Sequence, residues 1–222
     1  MRMRFRNREE AGRMLAERLG HLWGGTTWVL ALPRGGVPVG YELARVLGLR
    51  LEVLVVRKLG VPWRPELGMG AIAEGGATYV NDEVLQYADL TLKDVRAVAK
   101  EEALELERRV RLYRGERSLP DLRGQTVILV DDGLATGGTA RAAARAVREL
   151  EPRRLVLAVP VAAAETAEAL RREEVDEVVT VEEPVVLGAV GAWYEDFHQV
   201  DDEEVLVLLA EAARELPELS AP

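Results

Sequence analysis

The sequence has no cysteine and very little histidine or lysine, and these shortages narrow the possible functions. With no cysteine among 222 residues, a disulfide framework, a thiol nucleophile and a cysteine-ligated metal are excluded. Only two histidines are present, His21 and His198, which leaves little for a histidine metal site. No apolar run approaches the roughly 20 residues needed to cross a membrane, so a membrane is not an expected partner.

The charge balance is acidic, with a formal net charge of -9 at pH 7. Binding to duplex nucleic acid requires a basic face that neutralises phosphates, so nucleic acid is not an expected partner. A local anion pocket remains compatible with this balance. The first eight residues are basic, but Glu9 and Glu10 follow them in place of the apolar stretch and cleavage site of an export signal. We therefore expect a cytoplasmic protein.

Strand-like and helical segments alternate along the chain, which predicts an α/β fold with a parallel sheet covered by helices on both faces. The predicted strands are residues 26–32, 51–57, 126–130, 155–160 and 177–181. The predicted helices are residues 8–22, 37–47, 91–113, 139–150, 163–172 and 201–216. Residues 58–77 are rich in Gly and Pro and predict either a mobile loop or a hairpin. No linker divides the chain, so a single domain over residues 1–222 is expected.

Residues 127–144, VILVDDGLATGGTARAAA, combine a buried strand, two acids, a glycine-rich loop and a helix start. Glycines let backbone amides approach a phosphate, and the helix terminus adds unpaired N–H donors and the positive end of its dipole. Asp131 and Asp132 would repel that phosphate, so they are better suited to accept hydrogen bonds from hydroxyls or to hold hydrated magnesium. A sugar phosphate satisfies both halves.

A purely structural interpretation of this segment is the alternative, in which Gly137 and Gly138 shape a strand-to-helix turn and the acids cap it. The restrictive order of strand, acid pair, glycine loop and helix favours binding instead. No lysine follows the glycines and no GxGxxG pattern is present, so mononucleotide hydrolysis and dinucleotide binding both lose support.

The stretch VILVDDGLATGGT resembles the diphosphoribosyl-binding motif of type I phosphoribosyltransferases, and it is most similar to the form found in adenine phosphoribosyltransferases. The resemblance implies that Asp131 and Asp132 contact the ribose hydroxyls and Mg²⁺. It implies a 5-phosphate enclosed by Ala135, Thr136, Gly137, Gly138 and Thr139. Relatives that act on 6-oxopurines carry an acid in place of Ala135, which disfavours that subclass.

The resemblance also implies an activity. It predicts a magnesium-dependent pentosyltransferase of nucleotide metabolism whose substrates are 5-phosphoribosyl 1-diphosphate (PRPP) and a nitrogenous base. It predicts a parallel-sheet core with a small hood, contributed by about residues 182–200, and a homodimer. A non-catalytic regulator that binds PRPP or a nucleotide is the alternative, and a synthetase of the same fold is a weaker one because the chain is short and lacks a clear nucleotide-binding loop.

Two further segments agree with the layout of the family. Arg34, Gly35 and Gly36 follow the first predicted strand, where the family has a diphosphate-binding loop; the alternative is a simple helix N-terminus. Arg57 and Lys58 close the second predicted strand, where their charges would neutralise the same diphosphate, although they would also be ordinary strand-end charges. The family's flexible loop, which closes over the reacting centre, corresponds to about residues 58–80.

The hood region of the resemblance contains three of the chain's few aromatic residues, Trp193, Tyr194 and Phe197. Trp193 is the candidate for stacking on a planar base, and anchoring the hood to the core is the equally open alternative. Other residues are candidates by location or analogy only: Glu66 and Glu74 as a general base, and Glu195 or Asp196 as ligands of a second magnesium. His198 is expected to be a surface or packing residue.

Overall fold

Strands and helices alternate along the chain. The computed structural model describes residues 4–22 and 26–215. The strands are Thr27–Ala31 (β1), Arg50–Val53 (β2), Val56–Val61 (β3), Arg64–Ala73 (β4), Thr78–Val80 (β5), Thr126–Val130 (β6), Arg154–Val161 (β7) and Glu177–Glu182 (β8). The α-helices are Arg8–Arg18 (α1), Gly36–Leu47 (α2), Asp82–Tyr87 (α3), Leu92–Arg114 (α4), Gly138–Arg148 (α5), Ala164–Glu173 (α6) and Asp202–Glu215 (α7). Within the described ranges, no helix has both the length and the apolar character needed to cross a membrane.

The larger sheet is parallel, and its strands lie in the order β2, β1, β6, β7, β8. Strand β6 lies between β1 and β7 and is buried along its whole length. Because successive side chains of a strand point to opposite faces, Val127 and Leu129 pack with residues of α5 and α6. Ile128 and Val130 pack with residues of α1 and α2 on the other face. The predicted parallel sheet with helices on both faces is therefore confirmed.

A second, antiparallel sheet is formed by β3, β4 and β5, and it corrects the expectation for residues 51–57. That predicted strand is divided, since β2 ends at Val53 and β3 begins at Val56 in the other sheet. The apolar run across the break contains no Gly or Pro that would mark it. Residues 58–77 were predicted to form either a mobile loop or a hairpin, and the structure shows the hairpin. Gly70 permits the close approach of β4 to β5, because a Cβ there would overlap the carbonyl oxygen of Tyr79.

Helices α4 and α5 cover opposite faces of this small sheet. Leu59 and Ile72 pack with Leu106 of α4, whereas Val56 and Ala71 pack with residues of α5. A capping interaction opens α4, where the Asp94 carboxylate accepts a hydrogen bond from the Thr91 N–H at 2.8 Å. The face that α5 covers borders the loop that leads into α5, so the small sheet forms one side of the candidate site.

Candidate functional site

The two acids at the end of β6, here called the acid pair, meet the turn that opens α2. Asp131 and Asp132 are only partly buried. The Asp132 N–H donates to Asp131 Oδ1 at 2.9 Å. A Cβ at Gly35 would overlap Asp132 Oδ2, and one at Gly36 would lie 2.6 Å from the carbonyl oxygen of Val130. The structure thus brings the two predicted segments together where β1 and β6 end.

Burial makes ionisation of the acid pair costly. Loss of water raises the pKa of Asp131 well above its ordinary value, and the neighbouring Asp132 carboxylate raises it further. Burial also raises the pKa of Asp132, but the guanidinium of Arg8 opposes that rise. Because two close carboxylates repel each other, a cation or hydroxyl donors at this position would stabilise the charged pair.

Residues 135–139, here called the glycine loop, are held by hydrogen bonds from neighbouring segments, and their own backbone N–H groups are not used in these bonds. The Leu134 N–H donates to the Val161 carbonyl at 2.8 Å, and the Thr166 hydroxyl donates to the Ala135 carbonyl at 2.7 Å. Gly137 has φ 76°, and a Cβ there would lie 2.7 Å from Thr166 Cγ2. None of the five amides of the glycine loop donates to another residue of the described chain. Unpaired amides at the N-terminus of a helix are donors of the kind that an anion requires.

The turn that opens α2 is suited to an anion only in part. Arg34 is half-buried and lies 3.9 Å from Asp202 Oδ1 on α7, which is a long ion pair. The Gly36 N–H donates to the Leu32 carbonyl at 3.0 Å. The expectation that the amides of both Gly35 and Gly36 face an anion is therefore corrected for Gly36, whose donor is used within the turn.

Arg57 and Lys58 lie on opposite faces of β3, because side chains alternate along a strand. The Arg57 guanidinium pairs with Glu102 on α4, with its Nη2 atom 2.6 Å from Oε2. Arg57 therefore faces away from the acid pair, which corrects the expectation that it would neutralise the diphosphate. Lys58 of β3 pairs with Ala71 of β4, and Ala71 pairs with Tyr79 of β5, so the three side chains share one face of the small sheet. The Tyr79 ring on this face lies beside Gly138. Lys58 thus shares the face on the glycine-loop side, where its ammonium donates to the Glu66 carbonyl.

The aromatic residues of the hood region divide between packing and the site. Trp193 is 3% exposed, and its indole N–H donates to the Leu187 carbonyl at 3.1 Å. Of the two alternatives for Trp193, this burial favours anchoring of the hood region to the core and corrects its assignment as a residue that stacks on a base. The Tyr194 hydroxyl donates to the Asp132 carbonyl at 2.6 Å, and the half-exposed Phe197 packs on the Tyr194 ring.

Arg8 is the site residue that the sequence reasoning missed. Its Nε and Nη2 atoms both donate to Asp132 Oδ2, at 3.0 and 2.8 Å, and its Nη1 atom donates to the His198 carbonyl at 2.8 Å. The guanidinium carbon lies 3.9 Å from the centre of the Phe197 ring. No local pattern signals these contacts, because Arg8 begins a helix far from its partners in sequence.

A cavity of about 370 Å³ opens beside the acid pair. Its lining comes from α1, the turn that opens α2, one member of the acid pair and the hood region. The lining residues are Arg8, Arg34, Gly35, Asp132, Phe197, His198, Gln199 and Val200. A larger cavity lies between α4 and the small sheet, on the face opposite the glycine loop, and Glu74 is in its wall.

The two general-base candidates, Glu66 and Glu74, pair with arginines. Glu74 is buried in an ion pair with Arg114 at 2.6 Å, and the exposed Glu66 pairs with Arg64. Asp196 accepts a hydrogen bond from the His198 N–H at 3.1 Å, and the exposed His198 ring also contacts it. Neither general-base candidate therefore lies at the acid pair.

Comparison with known proteins identifies a family. Residues 71–193 match the family model described as phosphoribosyl transferase domain. The chain is 43% identical over 217 residues to the Mycobacterium tuberculosis proteins MT0597 and Rv0571c, whose names assign them provisionally to the phosphoribosyl transferases. These matches cover 98% of this chain and 49% of each relative, so the chain spans about half the length of the curated relatives it matches.

Among crystal structures, the chain is similar to TT1426 of Thermus thermophilus, with 44% identity and a TM-score of 0.78 over 94% of this chain and 99% of that one. A Neisseria gonorrhoeae protein crystallised with bound ppGpp has a TM-score of 0.51 and 13% identity over 95% of this chain and 98% of that one. This second likeness shows a shared fold alone.

Proposed function

The chain belongs to the phosphoribosyl transferase family, and from this we propose that it binds PRPP with Mg²⁺ and transfers the phosphoribosyl group to a nitrogenous base, releasing diphosphate. One observation carries the proposal: the acid pair lies directly beside five backbone amides that have no partner in the described chain. A phosphate needs such donors, and a ribose needs acceptors next to them. Few ligands other than a sugar phosphate require both together.

In the proposed reaction, the protein contributes mainly electrostatic stabilisation. The nitrogen of the base forms a bond to C1 of the ribose as the C1–O bond to diphosphate breaks, and the electron pair leaves with the diphosphate. In our proposal the glycine loop holds the 5-phosphate and the acid pair accepts hydrogen bonds from the ribose hydroxyls. Arg34 and Lys58 supply positive charge where the diphosphate departs. Arg57 has no part in this, since Glu102 holds it against α4.

The acid pair fits a magnesium ion. Mg²⁺ is commonly bound by one or two carboxylates together with substrate phosphates, without a cage made by the protein alone. The acid pair meets that requirement, because it offers two adjacent, partly exposed carboxylates immediately before the glycine loop. In the described ranges, no cluster of three or more metal-ligating side chains is present, which agrees with an ion held jointly with the substrate. When bound, Mg²⁺ would offset charge on the diphosphate.

The cavity beside Phe197 is our candidate for the acceptor base. It adjoins Asp132, which in this proposal holds the ribose, so a base in it would be close to C1. Phe197 contributes an apolar ring to the lining of this cavity.

The test is whether diphosphate is released when the protein meets Mg²⁺, PRPP and each of adenine, xanthine, uracil and orotate. Release with one base supports the transferase and identifies its acceptor. Saturable PRPP binding without release from any base would support the regulator instead. No saturable heat with PRPP and Mg²⁺ in calorimetry would overturn both.

A pair of double variants tests the acid pair itself. The variant Asp131→Asn with Asp132→Asn should lose magnesium-dependent PRPP binding while its Tm stays within a few degrees, because an asparagine oxygen at position 132 can still accept the hydrogen bonds of Arg8 and no core side chain is removed. The matched control is Asp82→Asn with Glu83→Gln, which removes two adjacent exposed acids far from the glycine loop in sequence. Lost stability with unchanged binding would indicate a structural turn.

A further inference from the structure

Arg8 connects three separate parts of the chain at the candidate site. It is the first residue of α1, and its side chain is 7% exposed. Two of its nitrogen atoms donate to Asp132 Oδ2 and a third to the His198 carbonyl. Its guanidinium also covers the Phe197 ring at 3.9 Å. The acid pair, the hood region and the N-terminal helix are thereby tied to one side chain.

The hydrogen bonds of Arg8 constrain Asp132 in a particular way. Nε and Nη2 share the single acceptor Oδ2, and neither donates to Oδ1. A carboxylate fixed through one oxygen presents the other in a defined direction. Gly35 lies against the same oxygen, because a Cβ there would overlap Oδ2. Oδ1 of Asp132 is therefore the oxygen left for a ligand hydroxyl.

Arg8 also holds one wall of the cavity proposed for the acceptor base. Its bond to the His198 carbonyl fixes the backbone next to Phe197, and its planar guanidinium lies over the Phe197 ring. A lysine offers a single ammonium and can reproduce only part of this arrangement. The same side chain thus sets both the ribose acceptor and the position of the apolar ring.

We propose that Arg8 is a positioning residue that orients the Asp132 carboxylate toward the ribose hydroxyls and fixes Phe197 in the wall of the cavity proposed for the acceptor base. This inference rests on the proposed function. Arg8 acts through its partners, because its three hydrogen-bonding nitrogens are directed to protein acceptors, and its side chain also forms part of the cavity wall. It lies outside residues 71–193, so the family match does not assign it.

The experiment compares wild type, Arg8→Gln, Arg8→Lys and Arg13→Gln for PRPP affinity with Mg²⁺ by calorimetry, and for kcat and acceptor KM by diphosphate release. Arg13→Gln is the matched control, because it breaks an ion pair of the same helix, with Glu42 at 3.1 Å, outside the site. Arg8→Gln should raise the PRPP Kd by about tenfold to a hundredfold, the size expected for losing hydrogen bonds to a charged group. It should also raise the acceptor KM.

Arg8→Lys should recover part of the PRPP affinity, since one donor can still reach Oδ2, and should leave the acceptor KM raised. A folded Arg8→Gln protein whose PRPP Kd stays within about twofold of wild type, a change smaller than one such hydrogen bond, would overturn the inference. If Arg8→Gln does not fold, Arg8→Lys decides by the acceptor KM, which must rise. Absence of PRPP binding in both wild type and Arg13→Gln would instead overturn the proposed function.

Discussion

A Cβ atom at Gly35 would overlap the Oδ2 atom of Asp132, so the α2 turn and the acid pair fit together only because residue 35 has no side chain. Arg8 holds the same oxygen through two hydrogen bonds, which prevents the carboxylate from turning away freely. The ends of β1 and β6 are thus joined through a contact that neither segment reveals by itself.

The variant Gly35→Ala tests this contact. The added methyl group must displace the Asp132 carboxylate or the α2 turn, and overpacking of this kind costs about 1–3 kcal/mol of unfolding free energy. Because the displaced carboxylate belongs to the proposed ribose site, PRPP affinity should fall as well. Urea unfolding and calorimetry measure the two effects. Gly20→Ala is the control, since a Cβ there meets nothing within 4 Å and both quantities should stay near wild type.

Trp193 and Phe197 should respond in opposite ways to substitution. Trp193→Phe leaves the buried Leu187 carbonyl without the indole donor, so unfolding free energy should fall by about 1–3 kcal/mol while acceptor KM is unchanged. Phe197→Leu should change stability less and raise acceptor KM, because its half-exposed ring lines the cavity. A raised acceptor KM in Trp193→Phe with wild-type stability would restore the first expectation that Trp193 stacks on a base.

The buried ion pair of Glu74 and Arg114 should be structural. Arg114→Met leaves the Glu74 carboxylate buried and uncompensated, which costs about 3–5 kcal/mol in comparable cases. The control is Arg111→Met on the same helix, whose exposed pair with Glu107 should contribute no more than about 1 kcal/mol. Chemical unfolding of both variants measures the difference. Equal losses would mean that Glu74 is free to serve another role, such as the general base that its location suggested.

The main sheet could be predicted from sequence because its strands carry a strong local signal. β6 has four consecutive apolar residues followed at once by acids, and the helices around it have clear apolar spacing. The acid pair and glycine loop were predictable for a related reason: each part follows the previous one directly along the chain. A site formed by consecutive residues can be predicted from the sequence without knowledge of the fold.

The small sheet and the partners of the acid pair were not predictable in this way. β4 contains Gly and Pro because neighbouring strands approach it closely, and such residues locally favour loops. Whether Arg57 or Lys58 faces the site depends on which face of β3 turns toward α5, which no local pattern specifies. Arg8 depends on a contact between the first helix and the acid pair. These features arise from tertiary packing, so they required the structure.

The exposed His198 ring should titrate above its ordinary pKa of 6.5, because hydrogen bonds to Asp196 and Glu204 favour its charged form. A raised folded-state pKa means that this stabilisation is fully present below the unfolded pKa and is lost as pH rises through the folded pKa. The contribution should be small, under about 1 kcal/mol, since solvent screens exposed pairs.

Proton NMR can follow the titration in a chain with only two histidines, and His198→Asn identifies the resonance. The variant Asp196→Asn with Glu204→Gln should lower the His198 pKa toward 6.5 and remove the matching pH dependence of Tm. Because the His198 carbonyl accepts from Arg8, the titration also reports whether this segment keeps its place beside the acid pair. A His198 pKa at or below 6.5 in the wild-type protein would show that the contacts with Asp196 and Glu204 do not hold in solution.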